Sequence, residues 1–179
     1  TAGDSITSGG NQNTLIGDRA GTAITTGDQN LAIGFQALQT EDTGSRNTAV
    51  GSFSLQNLNN DALSYNTAVG YNAGHEVTTG VQNVLVGGLS GDAITTGDNN
   101  TALGHEALTA NTVGDRSTAL GNFALKSQNP SSNADMYNVA VGHNAGGEVT
   151  TGVQNTLIGG LAGDAITTAE SNVAVGYDA

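Results

Sequence analysis

Counted from one asparagine to the next, this chain advances by nearly the same step throughout. Asn13, Asn30, Asn47, Asn66, Asn83, Asn100, then Ser117 in the equivalent place, Asn138, Asn155 and Asn172 are 17, 17, 19, 17, 17, 17, 21, 17 and 17 residues apart. Each opens a phrase like Asn100-Thr-Ala-Leu-Gly104 or Asn66-Thr-Ala-Val-Gly70. A chain with such a period must build one short unit and stack it. The unit is too short for a helix pair, which needs about 33 residues or more. Its apolar residues form a brief β-friendly run ended by glycine, not an i, i+3, i+4 stripe. The predicted fold is therefore all-β, a parallel β-solenoid or β-roll of about ten 17-residue coils. At ~4.8 Å per layer it is a rod on the order of 50 Å long.

Within each unit the pattern reads as strand, bend, strand, bend, strand, turn. The first strand is the N-T-A-V-G phrase. The second is a short x-x-A-L or x-x-A-G, and the third is A-I-T-T-G or E-V-T-T-G, as at Ala93–Gly97 and Glu148–Gly152. Glycine ends the first strand because the corner calls for a positive φ. The recurring asparagines (Asn13, Asn30, Asn47, Asn66, Asn83, Asn100, Asn138, Asn155 and Asn172) are predicted to form a turn ladder, with stacked amides bonded along the axis. A longer period lies on top: the units at Asn13, Asn83 and Asn155 are 70 and 72 residues apart, so coils recur in sets of four. Residues 1–179 are read as a single repeat rod, expected to be a fragment of a longer fibre because neither end carries a polar cap.

Composition narrows the function classes. Net charge is −12, from 4 Lys+Arg against 16 Asp+Glu, which repels phosphate backbones and argues against nucleic-acid binding. The longest apolar run is far below a membrane span, so no membrane insertion is expected. There is no cysteine, hence no disulfide and no thiolate metal site. No G-x-S-x-G elbow or H-E-x-x-H helix is present, so no enzyme activity and no cofactor are expected.

Strand residues alternate faces, and here both faces are apolar or nearly so. One carries Ile16, Ile33, Val50, Val69, Val86, Leu103, Leu120, Val141, Ile158 and Val175; the other carries Leu15, Ala32, Ala49, Ala68, Leu85, Ala102, Ala119, Ala140, Leu157 and Ala174. A strand with one wet face would alternate with polar residues. One face is therefore expected to fill the coil and the other to meet a partner chain, with the small alanines permitting close approach. Parallel rods joined in this way close as a cyclic oligomer.

The repeated N-T-A-[VIL]-G resembles the N-S-V-A-I-G-type motif of trimeric autotransporter adhesin heads. The fuller phrase Asn100 to Gly114 is similar to 17-residue repeats in phage tail-fibre-like and bacterial surface proteins. The resemblance covers about Asn11 to Tyr177. It implies left-handed β-rolls assembled as homotrimers, forming a fibre shaft or adhesive head. The expected function is thus a structural segment of an extracellular or phage tail fibre, on the virion or outside the cell, that spaces or presents host-surface adhesion sites. The head of a bacterial trimeric surface adhesin is the alternative, and a calcium- or ice-binding solenoid a third reading.

Surface novelty concentrates in the two long coils, Asn57 to Tyr65 and Lys126 to Tyr137, because insertions in solenoids bulge on one side. Tyr65 and Tyr137 would offer aromatic planes, and Asn59, Asn60, Asn129 and Asn133 paired donors and acceptors, to a host cell-surface glycan or receptor. His105 and His143 share a slot but lie two coils apart, roughly 10 Å, too far for one metal; with His75 they read as solvent-facing. Asp28, Asp98, Asp115 and Asp164 follow glycine and read as turn formers, with calcium ligation the competing role. Thr-Thr pairs such as Thr95-Thr96 must point to opposite faces, which counts against an ice face built from them.

Overall fold

The computed structural model describes every residue except Ser8 and Ala62. The described residues contain no helix and twelve short strands: β1 (Thr14–Ile16), β2 (Leu31–Ile33), β3 (Thr48–Val50), β4 (Thr67–Val69), β5 (Val84–Val86), β6 (Thr101–Leu103), β7 (Gly114–Asp115), β8 (Thr118–Leu120), β9 (Ala134–Asp135), β10 (Val139–Val141), β11 (Thr156–Ile158) and β12 (Val173–Val175). Ten of them form one parallel sheet in the order β1-β2-β3-β4-β5-β6-β8-β10-β11-β12. The register is the sequence repeat itself: Leu85 lies beside Ala102, Ala102 beside Ala119, Ala119 beside Ala140. The chain is a parallel β-solenoid of about nine turns.

Each coil carries one three-residue strand, not the three strands expected. After the corner glycine the backbone enters the left-handed region repeatedly, at Glu106 (φ 55°) and Leu108 (φ 55°) in one coil and at Phe123 (φ 63°) and Leu125 (φ 49°) in the next. A chain turning that tightly cannot extend. The T-T-G segment is also a bend, in which Thr95 Oγ1 donates to the Thr112 carbonyl one coil on, at 3.1 Å. The corner itself demands glycine. At Gly104 φ is 140°, and a Cβ there would lie 2.5 Å from the backbone of Gly121 in the next coil.

The two strand faces are assigned the opposite way from expectation. The alanine and leucine face is the coil interior: Ala32, Ala49, Ala68, Leu85, Ala102, Ala119, Ala140 and Leu157 are fully buried. The valine, isoleucine and leucine face looks outward, with Leu103 51% and Ile16 58% exposed. The coil is too narrow for two facing rows of large side chains, so its sheet wall is lined mainly by alanine.

That narrowness also accounts for the four-coil super-repeat. Eight residues after the ladder position stands either leucine (Leu38, Leu55, Leu108, Leu125) or glycine (Gly21, Gly74, Gly91, Gly146, Gly163). Leucine there goes with alanine at the strand centre, as in the pair Ala102 and Leu108. A strand-centre leucine instead fills the space left by glycines in two coils. Cβ atoms on Gly74 and Gly91 would each sit 2.7 Å from a methyl of Leu85, and Leu157 crowds Gly146 and Gly163 in the same way. Close-packed interiors tolerate neither a second leucine nor an empty site, so volumes compensate between layers. The third core position, eleven residues after the ladder, holds Ile24, Leu58, Val77, Ile94 and Val149. Glu41, Asn111 and Gln128 occupy it in other coils and are also fully buried.

Candidate functional surfaces

The ladder asparagines are buried, or half-buried at the two ends (Asn13 and Asn172), and most are bonded in two directions. Asn100 Nδ2 donates to the Gly114 carbonyl at 2.9 Å, closing its own coil, while its Oδ1 accepts the Ser117 amide of the next coil at 3.0 Å. Asn13, Asn30, Asn66, Asn83, Asn138 and Asn155 do the same with their own partners. Asn172 receives the last of these contacts and donates to Asn155 Oδ1 at 2.9 Å. The rungs therefore run from amide side chain to backbone more than from amide to amide. Asn47 is different: its Nδ2 turns to Asn30 Oδ1 and the Ser45 carbonyl, because its coil is one of the two long ones.

Both insertions fall at the same place, after the third core position and before the next ladder asparagine. In the first long coil Ser45 bridges Leu63; in the second β7 pairs with β9, and Pro130 and Met136 close over Gly114. Ala62 lies outside the described residues. Of the asparagines expected to face a ligand, Asn60 Nδ2 donates to the Thr79 carbonyl at 2.7 Å, and Asn129 Oδ1 accepts Thr112 Oγ1 at 2.8 Å. Asn59 and Asn133 are exposed. Tyr65 and Tyr137 are 44% and 50% exposed.

Each tyrosine is held by an arginine of the preceding coil, a partner the sequence reading passed over. Arg46 lies over the Tyr65 ring at 5.4 Å and its Nη1 donates to the Tyr65 hydroxyl; its Nε donates to Gln29 Oε1 at 2.9 Å. Arg116 lies over Tyr137 at 5.9 Å and pairs with Asp135, which also accepts the Tyr137 hydroxyl at 3.3 Å. The signal was available: Arg46-Asn47 and Arg116-Ser117 are 70 residues apart, and each tyrosine immediately precedes a ladder asparagine.

The outward sheet face is uncharged along its whole length. Its first row is Thr14, Leu31, Thr48, Thr67, Val84, Thr101, Thr118, Val139, Thr156 and Val173, and its second the apolar row ending at Val175. Beyond the corner glycine runs a column of rings. Phe35, Phe53 and Tyr71 meet edge to face at 5.3 and 5.9 Å, with His75 6.3 Å from Phe53. His105, Phe123 and His143 repeat the arrangement at 5.6 and 5.7 Å. Of the histidines read as solvent-facing, His105 and His143 are exposed and His75 is half-buried, and all three are also members of the aromatic columns. All seven Phe and Tyr side chains lie outside the core.

Asp28, Asp98 and Asp115 each use Oδ1 to accept a backbone amide of the preceding coil at 2.7 Å, from Asn11, Val81 and Asp98. Among the described residues no group of three or more His, Asp or Glu is placed to hold a metal ion, and no helix is long and apolar enough to cross a membrane. In four of the five Thr-Thr pairs the first threonine is half-buried and donates to the next coil, while the second is exposed.

One carboxyl stands apart. Glu41 is fully buried and accepts the backbone amides of Gly44 at 2.7 Å and Asp42 at 3.1 Å. Burial, with the neighbouring Asp42 charge adding to it, pushes its pKa from 4.5 up to about 7 against those hydrogen bonds. No family model, curated protein or solved structure matches this chain.

Proposed function

We propose that this rod is a non-catalytic fibre segment that self-associates through its outward sheet face, as a left-handed homotrimer, and spaces or presents surface-adhesion sites of an extracellular or virion fibre. One observation carries the reading: an uncharged, largely apolar face runs unbroken along ten strands. Surfaces of that kind mark association sites. A second copy suits it, because only a chain with the same 17-residue register keeps its rows matched along the full length. Strands three residues wide, stacked ten deep, give a face of about 10 by 45 Å. That is roughly half of the ~800 Å² each partner contributes to a standard interface. The aromatic columns beside the face supply further apolar area.

The test separates the faces. Val69→Glu with Leu103→Glu is expected to leave the circular-dichroism spectrum intact and reduce the oligomer to monomer by sedimentation. Ala102→Glu places a charge inside the coil and is expected to unfold it. A wild-type chain that sediments as a monomer at tens of micromolar would overturn the assembly reading. Ice binding has one observation in its favour, the six threonines in the first outward row. It requires that face to be free, so a monomer with thermal hysteresis would support it instead.

A further inference from the structure

The two arginine–tyrosine pairs occupy the same slot of the repeat but differ in charge. Arg116 is neutralised by Asp135, so its guanidinium is occupied by a carboxylate of its own chain. Arg46 has no acidic partner among the described residues: Gln29 holds its Nε and the Tyr65 hydroxyl one Nη1 hydrogen. Both partners are neutral, and they fix the guanidinium plane while leaving Nη2 and the second Nη1 hydrogen without an acceptor among the described residues. A planar fork of that kind matches a carboxylate. Beside it the Tyr65 ring is 44% exposed, and such an amphipathic ring can pack against a sugar ring.

We propose that the Arg46–Tyr65 pair is a subsite for a carboxylate-bearing saccharide, and that the Arg116–Tyr137 pair is the same site closed by Asp135. The proposal rests on the reading that the long coils present binding sites, and it names the ligand class for one of them. The net charge of −12 opposes an anion at long range, but at physiological ionic strength that field is screened beyond about 8 Å. The subsite is shallow and its affinity accordingly low, with Kd on the order of 1 mM. Several copies on an oligomeric rod would make it effective.

The test is a nuclear magnetic resonance titration of the full chain with 3′-sialyllactose and with lactose, which lacks the carboxylate. Shifts at the Arg46 Nε–H and the Tyr65 ring are expected with the acidic sugar alone. Arg46→Gln should weaken binding by about tenfold or more, whereas Arg116→Gln should leave it unchanged. Asp135→Asn should open a second site at Arg116. Equal response to lactose, equal loss in both arginine variants, or no shift at tens of millimolar sugar would overturn the proposal. So would loss of assembly in Arg46→Gln, which would place that residue in the interface. A monomeric wild-type chain that still bound the acidic sugar through Arg46 would refute the assembly reading and leave the subsite standing.

Discussion

The two long coils receive extra chain at the same point and stabilise it by opposite means. In the first, the third core position of the preceding coil is Glu41, a buried carboxyl that bonds the amides of Asp42 and Gly44 with no cation among the described residues to balance it. In the second, the equivalent residue is Asn111, which accepts the Gly114 amide at 3.1 Å and donates to the Gly114 carbonyl at 2.9 Å. There Gln128 adds a neutral network, joining Ser117, Asn138 and, at 3.5 Å, Asn111. Every buried side-chain nitrogen or oxygen among the described residues has a partner, so both solutions satisfy their hydrogen bonds. They differ in charge. One coil is sensitive to pH at its core and the other is not.

Transplanting the charge should produce the largest effect. Asn111→Asp is nearly isosteric but loses the donor to Gly114 and places an uncompensated carboxylate in the second coil. A cost of about 3–5 kcal/mol is expected at pH 8. Thermal melts should show that cost shrinking as the pH falls and the new carboxyl protonates. A variant as stable as the parent at pH 8 would mean that water reaches this position.

The reverse exchange in the first coil comes next. Glu41 has its pKa raised from 4.5 to about 7 on folding, so between those pH values the folded chain holds a proton the unfolded chain has released. Its contribution is therefore most favourable below about pH 4.5, declines as the pH rises, and levels off above about 7. The loss is about 3 kcal/mol. Glu41→Gln should recover much of it at pH 8, raising Tm by roughly 5–10 °C, and change little at pH 4. Parallel melting curves for parent and variant across pH 4–8 would remove the argument.

How much of this could be read beforehand depends on how local each feature is. The parallel solenoid, its register and the places of its insertions follow from one period, because stacking forces equivalent residues side by side. Ala102 and Leu103 show where that logic stops. Alternation states that they point apart, but which one faces inward depends on the coil's width, and that is set by turns at residues such as Leu108 and Glu106 whose left-handed backbone no propensity suggests. The same turns removed two of the three strands expected in most coils, the short β7 and β9 being the exceptions. Tyr65 and Tyr137 were visible as the aromatic ends of the long coils. Arg46 and Arg116, one coil earlier, meet them only because the repeat stacks, and the Asp135 pairing that distinguishes the two sites arises inside an insertion, where the first long coil carries Leu63 in the matching place.

The smallest effect tests why the second coil carries amides at all. Ser117 is the one ladder position without an amide, and Gln128 places one beside it: its Oε1 accepts Asn138 Nδ2 at 2.9 Å and Ser117 Oγ at 3.1 Å. Gln128, eleven residues further on, thus ties Ser117 to the side chain of the next ladder asparagine, whereas an ordinary rung accepts that residue's backbone amide. Gln128→Leu alone should cost about 2 kcal/mol, through unsatisfied polar groups at Asn138 and Ser117, with no pH dependence. Ser117→Asn alone should change stability by less than about 1 kcal/mol, because the new amide only competes with one already in place. Together the two changes rebuild the arrangement of the ordinary coils, with an asparagine on the ladder and an aliphatic residue at the third core position. The double variant should therefore be more stable than Gln128→Leu, with a coupling of about 1–2 kcal/mol in denaturant titrations. Strict additivity of the two changes would show that Gln128 serves the inserted loop and not the ladder.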